Sequence, residues 1–278
     1  MSPPLLEVED LRIRFPLAEG TVEAVRGISF TLGRERLGIV GESGSGKSQT
    51  GRAILGLTAK PGEVTAKRLA FGGIDLMAAP PKLRRSLRGS RMTMVMQDPR
   101  YSLNPVMTVG RQIVEAYRAH KRISTAEARR AARDMLDAVK VSQPDRVMAL
   151  YPHELSGGMG QRVMIAMMLI TGPELLIADE PTSALDVTVR GEVLRILDQL
   201  VTERGMGLIL ISHDLQLVAS FCDRVLVMYA GRIVEELQAG ALDKAQHPYT
   251  RGLMGCLPKL SGDRHPLPVL DRDPNWAL

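Results

Sequence analysis

The stretch Gly41-Glu42-Ser43-Gly44-Ser45-Gly46-Lys47-Ser48 matches the phosphate-binding pattern GxxxxGK[ST] in full. The glycines let backbone N–H groups curl around a phosphate, Lys47 reaches the terminal phosphates of a nucleotide, and the Ser48 hydroxyl is a magnesium ligand. Gln49, next in sequence, belongs to the same candidate set. A second candidate is "LLIADE", residues 175 to 180, an apolar run ending in Asp179 and Glu180. Two carboxylates at the end of a buried strand are costly without a partner for their charge. Magnesium carried by a nucleotide is such a partner: Asp179 would hold the ion, directly or through water, and Glu180 would activate the attacking water as general base. Taken alone, the pair could equally cap the following helix. A third candidate is "ELSGGMGQRVMIAMMLI", residues 154 to 170, a Ser-Gly-Gly turn set against a methionine-rich apolar run. It is either a loop before a core helix or a phosphate site at a helix N-terminus.

The elements around these residues alternate. "LLEVEDLRIRF" and "AVRGISFTL" read as strands joined across a glycine-containing turn. "RLGIV" is a short buried strand leading into the glycine loop, and "QTGRAILGL" after it has helical spacing. "RLAFGGIDL" reads as a hairpin around Gly72-Gly73, and "RMTMVMQDP" as a strand stopped by Asp98-Pro99. From about 100 to 165 the pattern turns helical, with Ser124 and Glu127 forming a capping box, so a helical subdomain inserted in the core is expected. The strand "ELLIAD", the helix "VTVRGEVLRILDQLVTER", the strand "GLILIS" and the hairpin "RVLVMYAGRIVEEL" follow. Continuous apolar strands alternating with helices predict an α/β fold built on a mostly parallel sheet covered on both faces. The tail after about 245, rich in proline and basic residues, is expected to be loosely structured.

Composition narrows the function. The chain's 278 residues, 45% hydrophobic and 24% charged, suit a globular protein with a substantial core. No apolar run approaches the roughly 18 residues of a membrane span, and the acidic, proline-containing start has no signal-peptide pattern. A protein made and kept in the cytosol is expected. Two cysteines without CxxC spacing and five scattered histidines argue against a disulfide framework and a structural metal. The net charge of +5 favours anionic partners. The basic runs "KLRRSLRGSR" and "ARRAARD" lack interleaved aromatics, so they read as solvated surface and no nucleic-acid partner is expected.

The motifs together resemble the ATP-binding cassette family over nearly the whole chain. They occur in the family's order: "GESGSGKS", Gln97 at a strand end, "LSGGM", "LLIADEP", "SALD", and His213 after "GLILIS". The resemblance implies a P-loop NTPase with a RecA-like core, an antiparallel β subdomain and an inserted α-helical subdomain, hydrolysing ATP with Mg2+. It implies that Phe15 stacks on adenine with Val25 packed nearby, although an aromatic residue there can equally be core. It also implies that Gln97 senses the γ-phosphate and Mg2+, that His213 contacts the γ-phosphate and orients the water, and that Ser183-Ala184-Leu185-Asp186 lines a dimer seam. Family dimers are head-to-tail, so Ser156, Gly157 and Gly158 would complete the partner chain's ATP site. Within the helix starting there, Ser156 can serve as N-cap, and the methionines read as packing residues.

One cassette, a short helical insert and no fused membrane span resemble an importer subunit more than the soluble cassette ATPases that act on nucleic acid or ribosomes. "MVMQDP", "SLNP" and "HPYTRGLM" resemble the oligopeptide, dipeptide and nickel importer branch. That resemblance implies an ABC ATPase domain over residues 1–245 and a tail of the oligopeptide-transporter type over 246–278. It implies peptide uptake, with nickel or another small solute as the alternative. The implied partners are a second, distinct cassette, two transmembrane permease subunits and, indirectly, a solute-binding protein, at the cytoplasmic face of the inner membrane. Gly160 departs from the branch pattern, so a looser N-terminal turn is expected in the helix after the signature, and Arg34 replaces a usual turn glycine, a local backbone matter. The ending "DRDPNWAL" lacks a cysteine-rich extension, so no iron–sulfur cluster is expected.

Overall fold

The computed structural model describes residues 3–183, 185–256 and 276. They form two compact units, one of Met1–Ala78 with Leu210–Leu278, the other of Ala79–Ile209.

The first unit opens with a hairpin of β1 (Leu6–Leu17) and β2 (Gly20–Leu32). Leu6 and Val8 are buried, then Leu11 and Ile13, so the period-two alternation slips between them. The slip coincides with a register shift and with Asp10 at a positive φ of 48°. An extra residue there turns the second half of the strand so that its apolar side still faces the core. β3 (Arg36–Val40) covers the expected "RLGIV", and α1 (Lys47–Ile54) follows the glycine loop. β4 (Glu63–Thr65) and β5 (Arg68–Phe71) pair antiparallel with β1, and β6 (Ile74–Asp75) closes the expected Gly72-Gly73 hairpin.

In the second unit, α2 (Pro81–Leu87) takes up the first basic run and β7 (Met92–Val95) follows. The strand ends at Val95, before Asp98-Pro99, and α3 (Pro99–Ser102) starts at that proline. Next come α4 (Val109–Arg118), α5 (Thr125–Ala138) and α6 (Pro144–Ala149). The capping box of α5 is closed in both directions: Glu127 N–H donates to Ser124 Oγ at 3.2 Å, and Ser124 N–H to Glu127 Oε2 at 2.9 Å. A short 3-10 turn, Pro152–Glu154, leads to α7 (Gly157–Leu169), whose Val163, Met164, Ile165, Ala166 and Leu169 are buried. β8 (Leu175–Asp179) is buried throughout and pairs parallel with β7, and α8 (Val187–Arg204) follows. Gly205 ends α8 at a φ of 57°, the left-handed conformation that glycine adopts without a Cβ penalty.

The chain returns to the first unit within β9 (Gly207–Ser212). α9 (Leu215–Phe221) lies close to β3: a Cβ on Gly38 would stand 2.0 Å from Val218 Cγ1. β10 (Arg224–Tyr229) pairs parallel with β3, and β11 (Arg232–Gln238) pairs antiparallel with β10. Largely buried parallel strands and a separate antiparallel sheet give the mixed α/β architecture expected from the strand composition. The tail differs from expectation: Pro248–Gly255 is a helix, α10, with Tyr249 and Thr250 fully buried. Pro248 at its first position and His247 Nδ1 accepting from Tyr249 N–H at 3.2 Å start the helix. Apart from Trp276, the tail beyond 256, with the expected missing cluster, lies outside the described residues.

Candidate functional site

In the first unit, Gly41 to Gln49 bridge β3 and α1. Gly41 and Gly46 are required by what lies beneath them. A Cβ on Gly41 would stand 2.1 Å from the Met228 carbonyl oxygen, and one on Gly46 would stand 2.5 Å from that of Ala24. Gly44 and Gly46 hold φ values of 84° and 100°, which glycine adopts freely. Gly231 N–H, at the β10–β11 turn, donates to Ser45 O at 3.2 Å, so the hairpin grips the loop. Lys47 is 6% exposed, and its Nζ donates to the carbonyls of Gly41 and Glu42, both at 2.8 Å. Ser43 and Gly44 are exposed at the loop's crest, while Ser48 and Gln49 are half-buried in the first turn of α1.

These residues fit a polyphosphate. Gly46 caps α1 without a side-chain hydrogen bond, and no acidic residue stands in its first turn. The helix therefore begins with N–H groups and a positive dipole end that an anion complements. Gln49 Oε1 is buried with no hydrogen-bond partner among the described residues, an acceptor left over beside the loop. Val25 is fully buried, and its Cγ2 would lie 3.1 Å from a Cβ on Gly46, so it packs beneath the loop. Phe15 is half-buried on β1, with its ring against Gly62. His213 is exposed directly after β9, and Asp214 beside it caps α9 by accepting from Leu217 N–H at 3.0 Å.

In the second unit, Asp179 ends β8 at 6% exposure and Glu180 follows at a positive φ of 47°. A non-glycine residue in that region is strained, and such outliers gather at functional sites. The Glu180 carbonyl accepts from Ser183 N–H at 3.3 Å and from Ser183 Oγ at 3.1 Å, which holds the turn. The helix-capping alternative fails for this pair: α8 is capped by Asp186, which accepts from Val189 N–H at 3.0 Å. Ala184 of the same loop lies outside the described residues. Gln97 is exposed just beyond β7.

Ser156 is the N-cap of α7, accepting from Met159 N–H at 3.3 Å, and α7 also lacks an acidic first turn. The two glycines after it differ. A Cβ on Gly157 would meet nothing within 4 Å among the described residues, whereas one on Gly158 would stand 2.6 Å from Val189 Cγ1. Gly160 makes no loose turn: its N–H donates to Ser156 O at 2.8 Å, and a Cβ would meet only ordinary contact with Pro99.

Sequence reasoning missed the role of Tyr249. Its hydroxyl accepts from Glu42 N–H at 3.0 Å, within the phosphate loop. The "HPYT" stretch was legible only as a branch marker, because nothing local pairs a residue with one 207 positions away.

A family model described as "ABC transporter" matches residues 25–183. The oligopeptide transport ATP-binding protein OppD of Salmonella typhimurium is 48% identical over 261 residues, 93% of this chain and 78% of that protein. The dipeptide transport ATP-binding protein DppD of Escherichia coli is 46% identical over 268 residues, 96% of this chain and 82% of that protein. Among solved structures, the dimeric bacterial ABC transporter cassette MJ0796 is similar with a TM-score of 0.76 at 25% identity, over 84% of this chain and 98% of that one. A post-hydrolysis dimer of the same cassette, bound to ADP and Pi, gives a TM-score of 0.74 at 25% identity over the same shares.

Proposed function

The chain belongs to the ABC transporter family, and on that premise we propose that it is the ATP-hydrolysing subunit of a peptide importer. The observation that carries the reading is the intact phosphate loop, with Lys47 buried against its own carbonyls at the head of an uncapped helix. The alignment with OppD and DppD over more than nine-tenths of the chain supports oligopeptides or dipeptides as the transported class.

Each residue's role is the one that the family resemblance implies and its chemistry allows. Lys47 and the loop N–H groups bind the β- and γ-phosphates of ATP, with Gly41 to Gln49 forming the cradle. Phe15 stacks on the adenine, with Val25 packed nearby beneath the loop. Ser48, Gln97 and Asp179 offer the hard oxygen donors that a magnesium ion takes. When bound, that ion neutralises charge on the β- and γ-phosphates. Glu180 removes a proton from the attacking water, and His213 orients that water against the γ-phosphate. Ser156, Gly157 and Gly158 present the N-terminus of α7 to the ATP of a second cassette in a head-to-tail dimer. The dimeric state of MJ0796, a family member of similar fold, supports this arrangement.

Closure of two cassettes around ATP drives a pair of transmembrane permease subunits, and hydrolysis reopens the dimer. The second cassette is a distinct paralogue, and a solute-binding protein delivers the peptide to the permeases. The subunit sits peripherally at the cytoplasmic face of the inner membrane; among the described residues no helix is long and apolar enough to cross one. The test is ATP hydrolysis by the transporter reconstituted in lipid vesicles with its solute-binding protein. Stimulation by di- to pentapeptides is expected; stimulation by Ni2+ alone would refute the peptide assignment.

A further inference from the structure

Tyr249 is fully buried, and its hydroxyl oxygen lies 3.0 Å from the backbone nitrogen of Glu42. The peptide unit joining Gly41 to Glu42 is thereby held at both ends. Its N–H donates to Tyr249 Oη, and its carbonyl accepts from Lys47 Nζ at 2.8 Å. The hydroxyl itself is held in place. Glu235 Oε1 accepts from the N–H groups of Gln246 and His247 at 2.6 and 3.2 Å, anchoring the start of α10 to β11. The Tyr249 ring packs on Tyr229 at 4.5 Å between centroids, and Trp276 lies 6.0 and 6.1 Å from the two. A buried tyrosine hydroxyl needs a hydrogen-bond partner, and here the partner is a phosphate-loop peptide.

We propose that Tyr249 is a positioning residue for the phosphate loop. Its hydroxyl sets the orientation of the Gly41–Glu42 peptide, which turns the Gly41 carbonyl toward Lys47. When Lys47 moves to phosphate, the peptide loses one of its two holds and Tyr249 keeps the other. The loop then retains its shape through binding, and no reorganisation cost falls on the nucleotide. This rests on the reading that residues 41–48 bind ATP.

The experiment compares the full chain with Tyr249→Phe and Lys47→Ala. It measures the Kd of a non-hydrolysable ATP analogue, the thermal midpoint without nucleotide, and hydrogen exchange at the Glu42 amide. Loss of one neutral hydrogen bond is expected to weaken binding by roughly 3- to 10-fold in Tyr249→Phe and to speed exchange at Glu42. In the assembled transporter KM should rise by the same factor with kcat within about twofold, a split that mere loss of folded protein does not produce. An unchanged Kd and KM in Tyr249→Phe would overturn the proposal. Should that variant fail to fold, Glu235→Gln weakens the anchor of α10, so that the Tyr249 hydroxyl is retained but held less firmly: weaker analogue binding supports the proposal and unchanged binding overturns it. If the unaltered chain fails to bind the analogue, or Lys47→Ala binds it equally well, the reading of the loop itself fails.

Discussion

Replacing Gly157 and Gly158 by alanine, one at a time, separates two reasons for a glycine pair. At Gly158 the added Cβ would stand 2.6 Å from Val189 Cγ1, about 0.8 Å short of an ordinary 3.4 Å contact. Val189 stands in the first turn of α8, so α7 and α8 must separate or the valine must leave its rotamer. Overpacking of this size costs about 1–3 kcal/mol, offset by up to about 1 kcal/mol of helix propensity. The net loss of about 1–2 kcal/mol lowers the melting midpoint by roughly 2–8 °C for a chain of this size. Val189→Ala in the same chain should recover most of that loss, with a coupling of about 1 kcal/mol in a double-mutant cycle. At Gly157 the Cβ meets nothing within 4 Å among the described residues. Gly157→Ala should therefore leave the isolated subunit's midpoint unchanged or slightly raised. In the assembled transporter it should still lower ATP turnover by roughly 10-fold or more, the worth of one charge-assisted hydrogen bond to phosphate. Thermal melts of the subunit and ATPase rates of the complex measure the two effects. Equal destabilisation by both variants would refute the steric partition. Wild-type turnover in Gly157→Ala would refute the cross-chain phosphate contact.

Glu180→Gln should cut hydrolysis by roughly 10²–10⁴-fold, the usual worth of a general base, while ATP binding persists; near-normal turnover would remove Glu180 from that role. Burial, reinforced by the neighbouring Asp223 carboxylate, pushes the Cys222 thiol up to about 12. The thiolate is the reactive form, so Cys222 should resist iodoacetamide at pH 8 in the folded chain and label on denaturation, read by peptide mass; rapid native labelling would contradict its burial. Burial works against the Glu235 charge, but the Thr250 hydroxyl first, then the Gln246 and His247 N–H groups and the His247 ring, hold its carboxyl below the ordinary value of 4.5. A lowered folded value means the contribution is whole above about pH 4.5 and lost as pH falls through the lowered value. The melting difference between the unaltered chain and Glu235→Gln should be present at pH 6 and shrink below pH 4; a pH-independent difference would refute the charge as its source.

Where local physics suffices, the sequence was enough. The strand β9 and the helix α8 take the boundaries that apolar runs and caps imply, and the Ser124–Glu127 box closes as its spacing requires. The glycine loop sits between a strand and a helix because GxxxxGK[ST] dictates its own backbone. The helix at 248–255 is not legible in the sequence, since its proline and basic content signals no partner while its burial depends on β10 and β11.

From the sequence alone came the phosphate loop, the acidic strand end, the Ser156 cap and the alternation of strands and helices, all set by neighbours within a few residues. Tertiary structure alone decided that Val189 occupies the space a Gly158 side chain would need. It alone brought Tyr249 to Glu42. Those facts depend on contacts between residues far apart in the chain, and such contacts carry no periodicity or cap by which a linear sequence announces them.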